Sequence, residues 1–193
     1  MKKIVLATSN PHKVEEINAI VDGVEFVLPP KEFNPIENGQ TFEENSLIKA
    51  KEANKLTGMM TLADDSGLCV EALDGAPGVN SARYASTAQE RIDKLLRTMS
   101  EKEGLKDSKK NRKAKFVCVM VLLSEDGSVL AKVRGECHGK IDTVQKGKNG
   151  FGYDPIFVVD GYDKTMAELS EDEKNTISHR AKALEGIKKF LSV

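Results

Sequence analysis

The chain has 193 residues, with 29 Lys+Arg against 30 Asp+Glu and a formal charge of −1, a balance that excludes a broadly basic, polymer-coating protein. Hydrophobic residues make up 39% and charged residues 31%, which is enough apolar material to bury a core and too much for a mainly disordered chain. The length suits one domain over 1–193, and Cys69, Cys118 and Cys137 lie too far apart for a Cys-x-x-Cys pair, so a reducing, cytoplasmic setting is expected. No stretch approaches the ~18 apolar residues of a membrane span, and the first apolar run is too short for a secretory signal.

Lys3–Thr8 is a β-branched apolar run ending in Ser9-Asn10-Pro11, the pattern of a buried strand and a turn. Pro11 suits the first position of a helix, and Val14, Ile17 and Ile20 or Val21 give that helix its apolar stripe up to Gly23. Val24–Leu28 predicts a second strand, and 29–40 an irregular loop. Thr41-Phe42-Glu43-Glu44 is a capping box opening a helix to Thr57, with Leu47, Ala50, Ala53 and Leu56 inward. Met60–Ala63 and Leu68–Ala72 read as two strands flanking a turn, Asp64-Asp65-Ser66-Gly67. A loop at Ala76-Pro77-Gly78 precedes a helix from Thr87 to Met99.

Residues 104–115 are polar and basic and read as a solvated connection. Their six basic residues and one acidic residue between Lys106 and Lys115 carry no interleaved aromatics, so no nucleic-acid surface is expected. Phe116–Leu123 and Val129–Gly135 form a hairpin about Glu125-Asp126-Gly127. After the glycine-punctuated stretch 147–155, Ile156–Val159 is a short strand. A second capping box, Ser170–Glu173, opens one closing helix carrying Ile177, Ala181, Leu184, Ile187 and Leu191.

Four groups of residues carry candidate chemistry. At Thr8–Lys13 a strand meets a helix N-terminus, whose orphan N–H groups, with hydroxyls and the Lys13 ammonium, suit phosphate oxygens; an ordinary capped helix start has the same composition. Glu37, Glu43, Glu44, Asp64 and Asp65 supply carboxylates of the kind magnesium takes beside water and substrate phosphate, although capping and polar turns use the same residues. In Gly150–Pro155 two glycines flank Phe151, offering a stacking ring and an acceptor in Asp154. Lys174, Ser178, His179 and Arg180 set donors near one end of the last helix. The cysteines read as small buried residues.

Taken in order, Thr8–Lys13, Thr41–Asn45, Ala63–Leu68, Gly75–Gly78 with Ser81–Tyr84, Phe151–Phe157, and Glu173-Lys174 with Ile177–Arg180 resemble the inosine triphosphate pyrophosphatase family, over nearly the whole chain. The resemblance implies an elongated, two-lobed α/β fold around a long mixed sheet with flanking helices, a nucleotide cleft between the lobes, and a homodimer. It implies hydrolysis of ITP, dITP and XTP to the monophosphate and pyrophosphate, with Mg2+ as cofactor. Thr8, Ser9, Asn10, Pro11, His12, Lys13 and Lys49 would grip the triphosphate. Asp65 would be the catalytic base and, with Glu37, a metal ligand, Asp64 or Glu44 supporting; Ser66 would touch the substrate. Phe151 would stack on the base, Gly152, Tyr153 and Asp154 would shape its pocket, and Lys174, His179 and Arg180 would read its edge. A related family acting on modified pyrimidines carries Ser-Pro-Arg-Arg where this chain has Asn10-Pro11-His12-Lys13. A nucleotide sensor that binds without turnover is the reading from another class.

Overall fold

A computed structural model describes residues 2–102 and 112–191. The chain opens with β1 (Lys2–Leu6), α1 (Pro11–Ile20) and β2 (Val24–Val27). Asn10 caps α1 by accepting from His12 N, and Pro11 takes the first helical position, where its missing N–H costs nothing. In α2 (Phe42–Thr57) the Thr41 and Glu44 side chains cap each other's backbone, and Gly58 closes the helix in the left-handed region. Ala50 and Ala53 are buried as the spacing predicts, whereas Leu56 is exposed; Asn45, Ser46, Lys49 and Asn54 are buried instead, so the inner face of α2 is largely polar.

The two strands expected on either side of Asp64–Gly67 are one, β3 (Thr61–Val70). Two adjacent acids suggest a polar turn because Asp is common in turns and a buried carboxylate is costly unless a cation is near. Here extended backbone sends them to opposite faces, where each finds cations. α3 (Ala88–Glu101) starts from a capping box of Thr87 and Glu90. Of the expected basic connection, 104–111 lies outside the described residues. Residues 113–115 belong to β4 (Lys113–Leu123), and Arg112 donates to Ile141 O at 2.6 Å and Asp142 O at 3.0 Å. The burial of Ala114 and Phe116 between more exposed lysines shows a half-buried strand where composition suggested a loop. β5 (Val129–Ile141) likewise runs past Gly135, and β6 is Phe157–Val159.

The closing helix is two. α4 (Glu171–Ile177) ends where Ser178 turns extended (φ −64, ψ 158), and α5 (His179–Leu191) follows. Ile177 packs on one core and Leu184, Ile187 and Leu191 belong to another, so one straight helix would have to serve both.

Among the described residues six strands form a mixed sheet in the order β2-β1-β3-β4-β5-β6. β1 is parallel to β2 and β3, and β5 is antiparallel to β6. No helix among those residues is long and apolar enough to cross a membrane.

By its internal contacts the chain divides into two compact units. The first comprises Met1–Ser66, Cys118–Gly135 and His179–Val193, and the second Gly67–Val117 and Glu136–Ser178. In the first unit the strands bury both faces. Ile4, Leu6, Leu62, Cys118, Met120 and Leu122 join α1 and α5 on one side. Val5, Ala7, Ala63, Val121 and Leu123 join Ala50 and Ala53 of α2 on the other. The second unit has one core, in which Leu68, Val70, Phe116 and Phe157 meet Ile92, Leu95 and Met99 of α3.

Helix α5 lies tightly on β5: a Cβ on Gly135 would stand 2.1 Å from His179 O and 2.5 Å from Ala183 N, both backbone atoms. Gly135→Ala should therefore destabilise the protein by about 1–3 kcal/mol, the usual cost of overpacking. Urea unfolding measures this, and unchanged stability would mean that α5 does not sit so close.

Candidate functional site

In the first unit, alternation along β3 organises the site. Asp64 follows Leu62 onto the face covered by α1 and α5, while Asp65 follows Ala63 onto the face covered by α2. Asp64 is 1% exposed, and its Oδ2 receives Lys13 Nζ at 2.9 Å and Arg180 Nη2 at 3.3 Å. The thiol of Cys118 lies 3.8 Å from the same oxygen. Burial opposes the charge on Asp64, but Lys13, Arg180 and Lys49 override it and hold the carboxyl far below the ordinary range. Burial, with Asp64 adding, pushes the Cys118 thiol up to about 12, so it stays protonated.

Arg180 is 1% exposed. One end of its guanidinium pairs with Glu16 of α1; Nη2 also donates to Ser66 Oγ at 3.1 Å. Glu16, which sequence reasoning missed, stands three residues after Lys13 on the same helix, and that spacing was the available signal. Arg180, expected at the edge of a bound base, pairs here with buried Asp64 and half-buried Glu16.

On the other face, Lys49 Nζ lies 2.9 Å from Glu37 Oε2 and 3.2 Å from Asp65 Oδ1. Glu37 arrives from the 29–40 loop, and Ser46 of α2 ties the helix to β3 by donating to Ala63 O at 3.1 Å. Burial works against the Lys49 charge, yet Asp65, Asp64 and Glu37 raise its pKa above the ordinary value. Burial also lifts the Asp65 carboxyl, against the pull of Lys49 and Lys13 and with Glu37 adding. The two faces differ in their pairing. Lys13 and Arg180 meet Asp64, and Arg180 also meets Glu16, whereas Lys49 meets both Glu37 and Asp65. Asp65 Oδ2 is buried with no hydrogen-bond partner among the described residues.

The Thr8–Lys13 turn is ordered by its own side chains: Asn10 N donates to Thr8 Oγ1 at 3.1 Å, and His12 N donates to Asn10 Oδ1 at 3.1 Å. Thr8 is buried, Ser9 and His12 are exposed, and Pro11 opens α1. Glu44, named beside Asp64 as a supporting carboxylate, is exposed and caps α2; Glu43 pairs with Arg134 at 3.1 Å. Both serve the helix terminus, where a carboxylate is favoured.

The second unit carries its own cluster. Asp154 Oδ2 accepts from Phe151 N at 2.9 Å and from Lys174 Nζ at 2.8 Å. The Lys174 ammonium lies 4.8 Å from the centre of the Phe151 ring. Gly150 permits this loop: its φ is 71°, and a Cβ there would be 2.1 Å from Asp154 Oδ2. Gly152 is also left-handed. The Tyr153 ring is buried in the core, where its hydroxyl donates to Ser81 O at 2.9 Å. Ser178 and His179 are buried at the break between α4 and α5. Lys174 and Arg180 do not share a helix, because that break separates them.

Truncating Arg180 would remove the guanidinium that pairs with both Asp64 and Glu16. Arg180→Ala should cost about 3–5 kcal/mol, the penalty for breaking a buried pair from one side. Denaturant unfolding checks this, and a loss below about 1 kcal/mol would mean that the guanidinium is not holding the two carboxylates.

The family profile described as "Ham1 family" matches residues 4–190. Among curated relatives, the chain is 43% identical over 185 residues to a dITP/XTP pyrophosphatase of Synechocystis sp., covering 95% of this chain and 92% of the relative. It is 47% identical over 193 residues to one of Desulfotalea psychrophila, covering 96% and 83%. Among solved structures, a HAM1 protein from Coxiella burnetii superposes with a TM-score of 0.86 at 44% identity, covering 99% of this chain and 98% of that one. The Staphylococcus aureus Ham1 protein gives 0.85 at 38% identity, covering 98% of each. A match of this extent, along the whole fold and through every segment of the site, places the chain in the Ham1 family.

Proposed function

We propose that this chain hydrolyses non-standard purine nucleoside triphosphates such as ITP, dITP and XTP to the monophosphate and pyrophosphate, with magnesium, clearing them from the nucleotide pool. The observation that carries the reading is Asp65, a strand carboxylate whose buried Oδ2 has no hydrogen-bond partner among the described residues and whose other oxygen meets Lys49 beside Glu37. A homodimer, which the family resemblance implies, and a cytoplasmic location, which the three widely spaced cysteines suggest, complete the proposal.

Asp65 takes the proton of the water that attacks the α-phosphorus. The new P–O bond forms as the bond to the bridging oxygen breaks, and pyrophosphate leaves with that electron pair. Burial lifts the Asp65 pKa, which favours proton acceptance nearer to neutral pH. Lys13, Lys49 and the Thr8–His12 turn bind the phosphates and offset their charge. Asp65 and Glu37 are the residues that would hold magnesium, which takes one or two carboxylates together with waters and phosphate oxygens. Bound there, the ion supplies charge neutralisation and a more acidic water.

In the second unit Phe151 offers its ring to the base and Asp154 keeps that loop in place. Lys174 donates to a keto oxygen of hypoxanthine or xanthine. An adenine amino group presented to the same ammonium leaves donor facing donor, at roughly 1–3 kcal/mol for a buried group.

Two measurements test this. In a pyrophosphate-release assay with ITP and magnesium, Asp65→Asn keeps the shape and removes the base, so turnover should fall by at least about 100-fold; near-normal rates in the folded variant would end the assignment. Lys49 occupies the place between Glu37 and Asp65 that a divalent cation would take. Lys49→Met should therefore bind Mn2+ without nucleotide at least about 10-fold more tightly than the parent, while its ITP turnover falls. Electron paramagnetic resonance of free Mn2+ reads the binding, and weaker binding by the variant would mean that Lys49 does not compete for that place.

A further inference from the structure

Helix α2 presents Asn45 and Lys49 four residues apart, one above the other on a single face. Asn45 is fully buried, and its Oδ1 accepts from Gly39 N at 2.8 Å. Gly39 lies flat against the helix, because a Cβ there would stand 2.7 Å from Asn45 Oδ1 and 2.7 Å from Glu44 Cβ. The next two amides, Gln40 N and Thr41 N, donate to Glu44 Oε2 at 2.6 Å and 3.2 Å, and Asn38 N turns back to Ile36 O at 3.0 Å. The loop is thus clamped to the first turn of α2 immediately after Glu37, whose carboxylate meets Lys49 one turn further along.

We propose that Asn45 is a positioning residue for Glu37: by holding Gly39 against α2 it sets where the Glu37 carboxylate stands relative to Lys49 and Asp65, and so shapes the cation site. The inference rests on the reading of Glu37 as a cation ligand. Helix capping does not explain Asn45, since Thr41 and Glu44 already cap α2. Nor does burial favour an amide there, because its Nδ2 finds no hydrogen-bond partner among the described residues, and an unpaired buried amide group is costly. What the side chain gains is the hold on the Glu37 loop. Removing a group that orients a metal's ligands typically costs about 10- to 100-fold in affinity.

The test measures Mn2+ binding to the full chain by electron paramagnetic resonance, with thermal melting as the folding control. Asn45→Ala, which loses the clamp from the helix side, should weaken Mn2+ by between about 10- and 100-fold. Gly39→Ala, which pushes the loop off from the other side, should do the same and carries the test if Asn45→Ala fails to fold. Glu37→Gln should weaken binding comparably, and adding Asn45→Ala to it should change little more, because the ligand being positioned is already gone. Normal Mn2+ binding by folded Asn45→Ala and Gly39→Ala, with Glu37→Gln impaired, would overturn the positioning role and leave the function intact. Effects of Asn45→Ala and Glu37→Gln that multiply would overturn it too. If Glu37→Gln binds Mn2+ normally while Asp65→Asn does not, Glu37 is no ligand and the inference falls with that reading.

Discussion

Two adjacent carboxylates buried in the middle of one strand are the constraint around which the first unit is arranged. An isolated buried carboxylate is expensive and two neighbouring ones more so. Extended backbone resolves the conflict by sending Asp64 and Asp65 to opposite faces of β3, and each face must then bring its own cations. α1 and α5 deliver Lys13 and Arg180 to Asp64; α2 delivers Lys49 to Asp65. The helices on both sides of these strands are thus held by charge as well as by the apolar clusters beneath them.

The different surroundings give the two carboxylates different chemistry: the Asp64 carboxyl is held down and the Asp65 carboxyl is lifted. Asp64, paired with Lys13 and Arg180 and held far below the ordinary carboxylate range, stays an anion and anchors Lys13. Asp65 shares one ammonium with Glu37, keeps an unsatisfied oxygen and has a lifted pKa, which are the properties of a group that can accept a proton or share a cation. In both units a lysine proposed to meet substrate already rests on a carboxylate: Lys49 on Glu37 and Asp65, Lys174 on Asp154. Such pairing pre-orients the ammonium, so little reorganisation is needed when a phosphate or a keto oxygen takes the carboxylate's place.

Much of this was legible in the order of residues. Local signals determined the N-terminal strand, the Pro11 helix start, the capping boxes of α2 and α4 and the hairpin about Gly127, because each depends on contacts a few residues apart. The residue types that carry the site were visible for the same reason: acids beside apolar runs, a lysine one turn into a helix, glycines around an aromatic. Which of them would meet was not. Asp64-Asp65 reads as a turn until Lys13, Arg180 and Lys49 arrive from distant segments to neutralise it. Arg180 reads as a surface donor until Glu16, more than one hundred and sixty positions earlier in the chain, closes over it. The basic residues 113–115 become strand because β5 offers them a partner, and the last helix breaks at Ser178 because its two halves belong to different cores. Sequence by itself determined the elements and the chemical inventory, since backbone propensity and capping act locally. Only the tertiary structure decided the pairing of buried charges, because the cost of each one depends on which distant side chains replace the water it has lost.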